Sequence, residues 1–327
     1  ISYKMKNKVA YSELHCLSNF SFLKSASHPK ELIIRASELG YRAIAITDEC
    51  SLAGIVKAYI AAKKVNIKLI VGTELNLKEG VKIIALANNK YAYSEISSLI
   101  STARKRSPKG QYEATLHDVV FYLKQSLLIW IPHKINNKVS YQQNYDNGYK
   151  LKKFFKQRLW LGITHDLTGD EYTQYKYFFN LARELDISMV ACGDVRMHIP
   201  QRKPLLDILT AIDLNKNIEN LGSLRASNSQ HYLRNLKTLK NLYPEALILQ
   251  TQIISQQCCF NLEELRYEYP QELTTRGQNP NKYLRSLVLK GAQKRWPGLI
   301  PKNVITQVEY ELKLIEDLKY EYYFLTV

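Results

Sequence analysis

The sequence predicts an α/β fold, a parallel sheet or barrel followed by a smaller, mostly helical region. Three observations support this. Short apolar runs alternate with segments of helical period between residues 29 and 192, the pattern of βα units. Three of these runs end on carboxylates: Ala43-Ile44-Ala45-Ile46 on Thr47-Asp48-Glu49, Leu69-Ile70-Val71 on Gly72-Thr73-Glu74, and Met189-Val190-Ala191-Cys192 on Gly193-Asp194. Such folds build their sites at the carboxyl ends of parallel strands. The strand signal then fades after Asp194, and helical patterns continue to the last residues.

The elements follow in order. Residues 29–39 read as a helix, with Pro29 at its first position, Ser27 or His28 as cap and Gly40 as stop. A strand is expected over 42–47, a helix over 52–65, strands over 68–71 and 81–87, and a helix over 91–103. The basic loop Arg104-Lys105-Arg106-Ser107-Pro108-Lys109-Gly110 reads as solvated surface. Residues 127–131 form a very apolar strand closed by Pro132. Residues 136–156 interleave Tyr, Asn and Lys, a mixture able to stack on and neutralise single-stranded nucleic acid. They are more simply an exposed, partly helical insertion. A strand over 159–164, a helix over 170–185 and a strand over 188–192 lead to Asp194. Helices are then expected over 203–212, 236–242, 244–257, 281–296 and 303–318, with a linker over 270–280 and a domain boundary near residue 225.

At 327 residues and 46% apolar content the chain can bury a substantial core. It has no run of about 18 apolar residues, so no membrane-spanning helix is expected. Ile1–Ala10 lacks the apolar centre of a signal peptide, and Ile1 in place of Met suggests that the natural start lies upstream. The five cysteines, odd in number and without a Cys-x-x-Cys pair, argue against a disulfide framework and for a reducing cytoplasm. The net charge of +16 suggests an anionic partner, nucleic acid first. A Lys-rich composition bias would give the same value, so charge alone decides little. No Gly-x-Ser-x-Gly, phosphate-binding Gly-rich loop or His-Glu-x-x-His is present.

His15, in Tyr11-Ser12-Glu13-Leu14-His15-Cys16-Leu17, adds a nitrogen donor to the strand-end carboxylates, and together they could converge as a metal site requires. Glu13-Leu14-His15-Cys16-Leu17-Ser18-Asn19-Phe20-Ser21-Phe22-Leu23, the segment Ile46 to Gly54, and Gly193-Asp194-Val195-Arg196-Met197-His198 resemble the N-terminal PHP (polymerase and histidinol phosphatase) domain of bacterial C-family DNA polymerases. The resemblance runs over essentially the whole chain. It is nearer to the error-prone, damage-inducible branch than to the replicative alpha subunit of DNA polymerase III.

The resemblance implies an irregular parallel β/α barrel over residues 1–225, the PHP domain, and a helical lead-in to the polymerase palm over 226–327. In active PHP domains the barrel holds clustered metals at its strand ends, and metal-bound water hydrolyses phosphoesters. Here the family's His-x-His is His15-Cys16-Leu17, its Thr-Asp-His is Thr47-Asp48-Glu49, and its Asp-x-His is Asp194-Val195-Arg196. The implied metal ligands are therefore His15, Glu49, Glu74 and Asp194, with Zn2+ or Mn2+ as the ion. Leu17 cannot ligate, and the fixed charge of Arg196 opposes a cation. His198 is a candidate substitute two residues on. Two readings stay open: a few ligands hold a metal, or the carboxylates form hydrogen bonds and ion pairs, Asp194 with Arg196. The balance falls to the second.

Tyr267-Glu268-Tyr269-Pro270, Tyr283-Leu284-Arg285, Glu309-Tyr310-Glu311-Leu312 and Tyr323-Phe324-Leu325-Thr326-Val327 resemble the approach to the family's palm. There, catalytic aspartates bind Mg2+, whereas no Asp-x-Asp pair occurs in this sequence. The expectation is the N-terminal part of an error-prone DNA-directed DNA polymerase of translesion synthesis and damage-induced mutagenesis. Its PHP domain would be mainly structural and without catalytic residues of its own. The implied partners are DNA through the parent polymerase, a sliding clamp and other mutagenesis proteins, with no membrane. The alternatives are a metal-dependent phosphoesterase or 3'-5' exonuclease, and a non-catalytic nucleic-acid or protein interaction module.

Overall fold

The computed structural model describes residues 10–134, 140–265 and 279–326. The chain start, positions 136–139 of the polar stretch, the Tyr267–Pro270 motif, most of the linker expected over 270–280 and Val327 lie outside the described residues. The chain divides into two compact units, Ile1–Glu264 and Leu265–Val327.

The first unit is built on a seven-stranded sheet whose strands follow one another in chain order. They are β1 (Ser12–Glu13), β2 (Ala43–Ile46), β3 (Lys68–Asn76), β4 (Lys82–Leu86), β5 (Leu127–Ile131), β6 (Leu159–Ile163) and β7 (Ser188–Ala191). A parallel bridge between Cys16 and Val195 joins the two edges just past β1 and β7. Leu17 N donates to Val195 O at 2.8 Å and Val195 N to His15 O at 3.0 Å.

One strand breaks the parallel arrangement. β4 runs antiparallel to both β3 and β5, while the other pairings are parallel. The reason is the short connection from Asn76 to Lys82, which allows a hairpin but no crossover helix. β3 is accordingly longer than its apolar run. Ala43–Ile46 pairs its first half, and β4 pairs Gly72 to Asn76. Gly72 sits where a Cβ would lie 2.6 Å from Ala85 O, so the hairpin needs a glycine there.

Helices cover the outside: α1 (Pro29–Glu38), α2 (Ile55–Val65), α3 (Lys90–Lys105), α4 (Leu116–Tyr122), α5 (Tyr141–Phe155) and α6 (Glu171–Glu184). Their ends follow local rules. Glu31 accepts from His28 N at 2.8 Å at the start of α1, Asn89 accepts from Ala92 N at 2.9 Å at α3, and Asn66 ends α2 in the left-handed region at φ 52°. The sequence reading lacked α4, although Thr115 and Asp118 form its reciprocal cap.

Alternate strand residues divide the core. Ile44, Ile46, Val71, Ile83, Leu128, Trp130 and Leu161 pack with the helices, and Leu14, Ala45, Ile70, Ile84, Ile129, Trp160 and Val190 form a second, inner cluster. Each of the Val, Leu and Ile side chains among them contributes about 1.5–3 kcal/mol relative to exposure.

After β7 come α7 (Lys203–Asp213), α8 (Leu236–Leu242) and α9 (Glu245–Gln257). α9 lies across the amino ends of the strands. Thr251 Oγ1 accepts from Ser12 N at 3.2 Å, Trp160 Nε1 donates to Gln250 Oε1 at 3.1 Å, and Lys68 Nζ donates to Ser255 O at 2.6 Å. Ile254 and Cys258 belong to the inner cluster. The first compact unit runs to Glu264 and takes in α8 and α9, whose Leu239, Leu247 and Ile248 join the core. The second unit holds α10 (Pro280–Arg295), α11 (Lys302–Leu318) and α12 (Glu321–Thr326), with an ion pair between Arg285 and Glu309 joining the first two.

Candidate metal centre

Three carboxylate- and imidazole-bearing residues meet at the carboxyl ends of the strands. His15 follows β1, Glu74 lies in β3 and Asp194 follows β7. One ligand atom of each lies within 4.8 Å of the others. His15 Nε2 is 2.6 Å from Glu74 Oε2 and 3.7 Å from Asp194 Oδ1.

Backbone geometry fixes this arrangement. Asp194 adopts φ 43°, a left-handed conformation that turns the chain sharply after β7. Gly193 precedes it, and its N–H donates to Glu13 Oε1 at 2.9 Å. A Cβ at Gly193 would lie 2.3 Å from Glu13 Oε2. Glu13 is fully buried, and it also accepts from His15 N at 2.9 Å, Leu14 N at 3.1 Å and Tyr11 OH at 2.9 Å. This one carboxylate thus ties β1 to the Asp194 turn and holds His15 in place. Burial pushes its carboxyl up, against the pull of the Gly193 and His15 N–H groups.

The other expected residues lie outside the group. Glu49 is bridged to Glu74 through the backbone, but its Oε1 accepts from Asn76 Nδ2 at 2.8 Å and Tyr112 OH at 2.9 Å. Asn76 Nδ2 also reaches Glu74 Oε1 at 3.1 Å. Asp48 is buried and accepts from Ser18 N, Ser18 Oγ and Ser21 Oγ, each at 2.7 Å. His198 pairs with Ser27 Oγ at 2.8 Å, so the two-residue shift does not bring it into the group.

Basic side chains hold the remaining space. Arg196 Nη2 is 3.4 Å from Asp194 Oδ2, His231 Nδ1 is 3.4 Å from the same atom, and Lys82 Nζ is 3.5 Å from Glu74 Oε1. Against burial, which alone would raise it, Arg196, His15 and His231 hold the Asp194 carboxyl far below its ordinary value. The hydrogen bond and charge of His15, with Lys82, likewise hold Glu74 down against its burial. Burial lowers His231. The sequence reading missed Lys82 and His231. Lys82 reaches Glu74 only because β4 pairs antiparallel with β3, and His231 comes from a polar loop 37 residues after Asp194.

The donors His15, Glu74 and Asp194 are of the type that could hold one divalent ion. They do not fit the multi-metal cluster implied by the resemblance. Lys82 and Arg196 already neutralise the two carboxylates. His15 Nδ1 is buried without a hydrogen-bond partner among the described residues, whereas a metal-bound imidazole normally donates its second N–H to an orienting acceptor.

Residues 13–158, within the first compact unit, match the family model of the PHP domain. Residues 282–327 match the model of the bacterial DNA polymerase III alpha NTPase domain. Over nearly its whole length, the chain is a relative of the bacterial error-prone DNA polymerases. It is 50% identical over 317 residues to an error-prone DNA polymerase of Saccharophagus degradans, covering 97% of this chain. It is 46% identical over 319 residues to that of Teredinibacter turnerae and 42% over 318 residues to that of Pseudomonas aeruginosa, covering 98% and 97% of this chain. The chain spans 30% of the length of each of these relatives. Among the described residues, no helix is long and apolar enough to cross a membrane.

Proposed function

We propose that this chain is the N-terminal part of an error-prone DNA-directed DNA polymerase used in translesion synthesis and damage-induced mutagenesis, with its PHP domain acting as a scaffold. The similarity to error-prone polymerases over 97% of the chain supports the first half of this reading. The cations seated on Glu74 and Asp194 support the second. In the whole protein, DNA is the substrate, Mg2+ serves in a palm beyond the residues present, and a sliding clamp and other mutagenesis proteins are partners in the cytoplasm. Residues 279–326 form part of the helical approach to that palm.

What the PHP residues do in this reading is positional. Glu13 clamps β1 to the Asp194 turn, while Arg196, Lys82 and His15 bind the carboxylates that ions would otherwise bridge. A second reading is favoured by the ligand group itself, in which His15, Glu74 and Asp194 hold one Zn2+ or Mn2+ and the domain is a phosphoesterase or exonuclease. Elemental analysis of the purified chain, with hydrolysis of a model phosphodiester in added zinc or manganese, separates the two. The scaffold reading expects trace metal and no turnover. Stoichiometric metal, with turnover abolished by His15→Ala, would replace it with the second.

A further inference from the structure

The polar stretch that precedes β6 has a surface of its own. In α5, Tyr141, Tyr145 and Tyr149 recur every fourth residue and so share one stripe. Their rings form a ladder. The centroids of Tyr141 and Tyr145 are 6.5 Å apart with planes 21° from parallel, and those of Tyr145 and Tyr149 are 6.4 Å apart with planes 11° from parallel. The ladder is anchored at one end, where Tyr141 meets Tyr177 edge-on at 5.2 Å and its hydroxyl donates to Glu184 Oε2 at 2.5 Å. It opens at the other, where Tyr149 is 58% exposed. The buried residues Asn144, Gly148, Leu151 and Phe155 hold the helix on the barrel. Gly148 allows this close seat, because a Cβ there would lie 2.4 Å from Leu185 Cδ1.

Charge runs on from the rings. From Tyr141 to Lys156 the sequence carries four lysines and one aspartate, and Lys150, Lys153 and Lys156 are exposed beyond Tyr149. Lys152 is drawn aside to Asp186 at 3.1 Å. None of these residues touches the His15–Glu74–Asp194 group, so the surface is independent of the metal question.

We propose that this face of α5 binds single-stranded nucleic acid, with unpaired bases stacking on Tyr145 and Tyr149 and the phosphates meeting Lys150, Lys153 and Lys156. Near-parallel aromatic planes on a rigid helix supply stacking without sequence preference, and the flanking ammonium groups supply the counter-charge. A protein partner fits less well, because the surface offered is mostly ring faces and its charge is mainly positive, with four lysines against the single Asp146 from Tyr141 to Lys156.

The test is the fluorescence anisotropy of a labelled oligothymidylate titrated with the 327-residue chain at several salt concentrations. Tyr149→Ala leaves the net charge unchanged and is expected to weaken binding by about fivefold or more, since base–aromatic stacking is worth about 1–3 kcal/mol per base. Tyr149→Phe, which keeps the ring, should bind like the parent. The double substitution Lys150→Gln with Lys153→Gln should flatten the log–log salt slope by about 1.4, from about 0.7 per phosphate contact on a single strand. Circular dichroism of each variant checks that α5 persists. Equal affinity of folded Tyr149→Ala and parent would overturn the proposal, because the binding would then be a product of net charge alone.

Discussion

Carboxylates delivered by the barrel strands fall into two groups with opposite electrostatics. Glu13 and Asp48 are buried among neutral donors: backbone N–H groups, serine hydroxyls and one tyrosine. Burial raises both, and the hydrogen bonds only moderate that rise. Glu74 is buried and Asp194 half-buried beside Lys82, Arg196, His15 and His231, and these neighbours overcome desolvation to hold both low. One residue type at one end of one sheet is thus used in two ways. The first pair clips loops to strands. The second keeps the charge geometry of an ion cluster with side-chain cations supplying the positive charge. The family resemblance pointed to one such neighbour, Arg196 beside Asp194, but not to Lys82 or His231.

The comparison can be broken most sharply at Gly193. Gly193→Ala drives a methyl into Glu13 Oε2, and displacing that carboxylate strands three buried N–H donors. A loss of about 3 kcal/mol or more is expected. That corresponds to a fall in Tm of about 6–12 °C for a unit of this size. A fall under about 2 °C in calorimetry would show that Glu13 is not the clamp described here.

Arg196→Met ranks next. It leaves the half-buried Asp194 without its strongest counter-charge. Because Arg196 is partly exposed, the expected cost is about 2 kcal/mol, below the ~3–5 kcal/mol of a fully buried pair. In a double-mutant cycle with Asp194→Asn, the second change should cost less in the Met background than alone. On the proposed scaffold reading, in which Arg196 and Lys82 rather than an ion hold the carboxylates, a chelator should shift the Tm of the parent by less than about 1 °C. A fall of several degrees would return the metal to the site.

The smallest effect is the most discriminating, because the two groups predict pH dependences of opposite sign. Glu74 and Asp194 are depressed on folding. Their stabilisation is fully present above the ordinary carboxylate value near ~4 and is lost as pH falls below it. The stability gap between parent and Arg196→Met should therefore be widest near pH 7 and narrow in acid. Asp48 is raised on folding. Its ionisation costs nothing below ~4 and costs progressively more as pH rises through its folded value. Parent and Asp48→Asn should differ by no more than about 1 kcal/mol, with the parent relatively better in acid than at pH 7. Parallel pH dependences of the two gaps, followed by chemical denaturation, would remove the distinction between the groups.

The sequence made most of the architecture legible, and for local reasons. The apolar runs at 43–46, 127–131 and 188–191 and the helical periods between them are strong signals, and Pro29, Asn66 and Asn89 mark helix ends through their own backbone preferences. Glu74 and Asp194 were readable as strand-end acids because each follows a strand-like run, and His15 joined them through its motif rather than through any strand signal. The hairpin of β3 and β4 was also written in the short, Gly80-containing connection, which has no room for a helix. The parallel expectation passed over it. β1, only two residues long, has no periodicity to read.

Tertiary structure alone decided what surrounds the carboxylates. Lys82 becomes a partner of Glu74 through an antiparallel register, His231 reaches Asp194 from a loop with no element of its own, and Glu49 is drawn away by Asn76 and Tyr112. The contacts of His231 and Glu49 span residues distant in the chain, and that of Lys82 depends on the register of the β3–β4 hairpin, so no single-segment periodicity encodes them. The state of a buried carboxylate depends on distances of a few ångströms to such neighbours. The sequence by itself therefore determined where the acids stand on the barrel and that Arg196 stands beside Asp194, and only the folded chain decided that Lys82 meets Glu74 while Glu13 and Asp48 meet neutral donors.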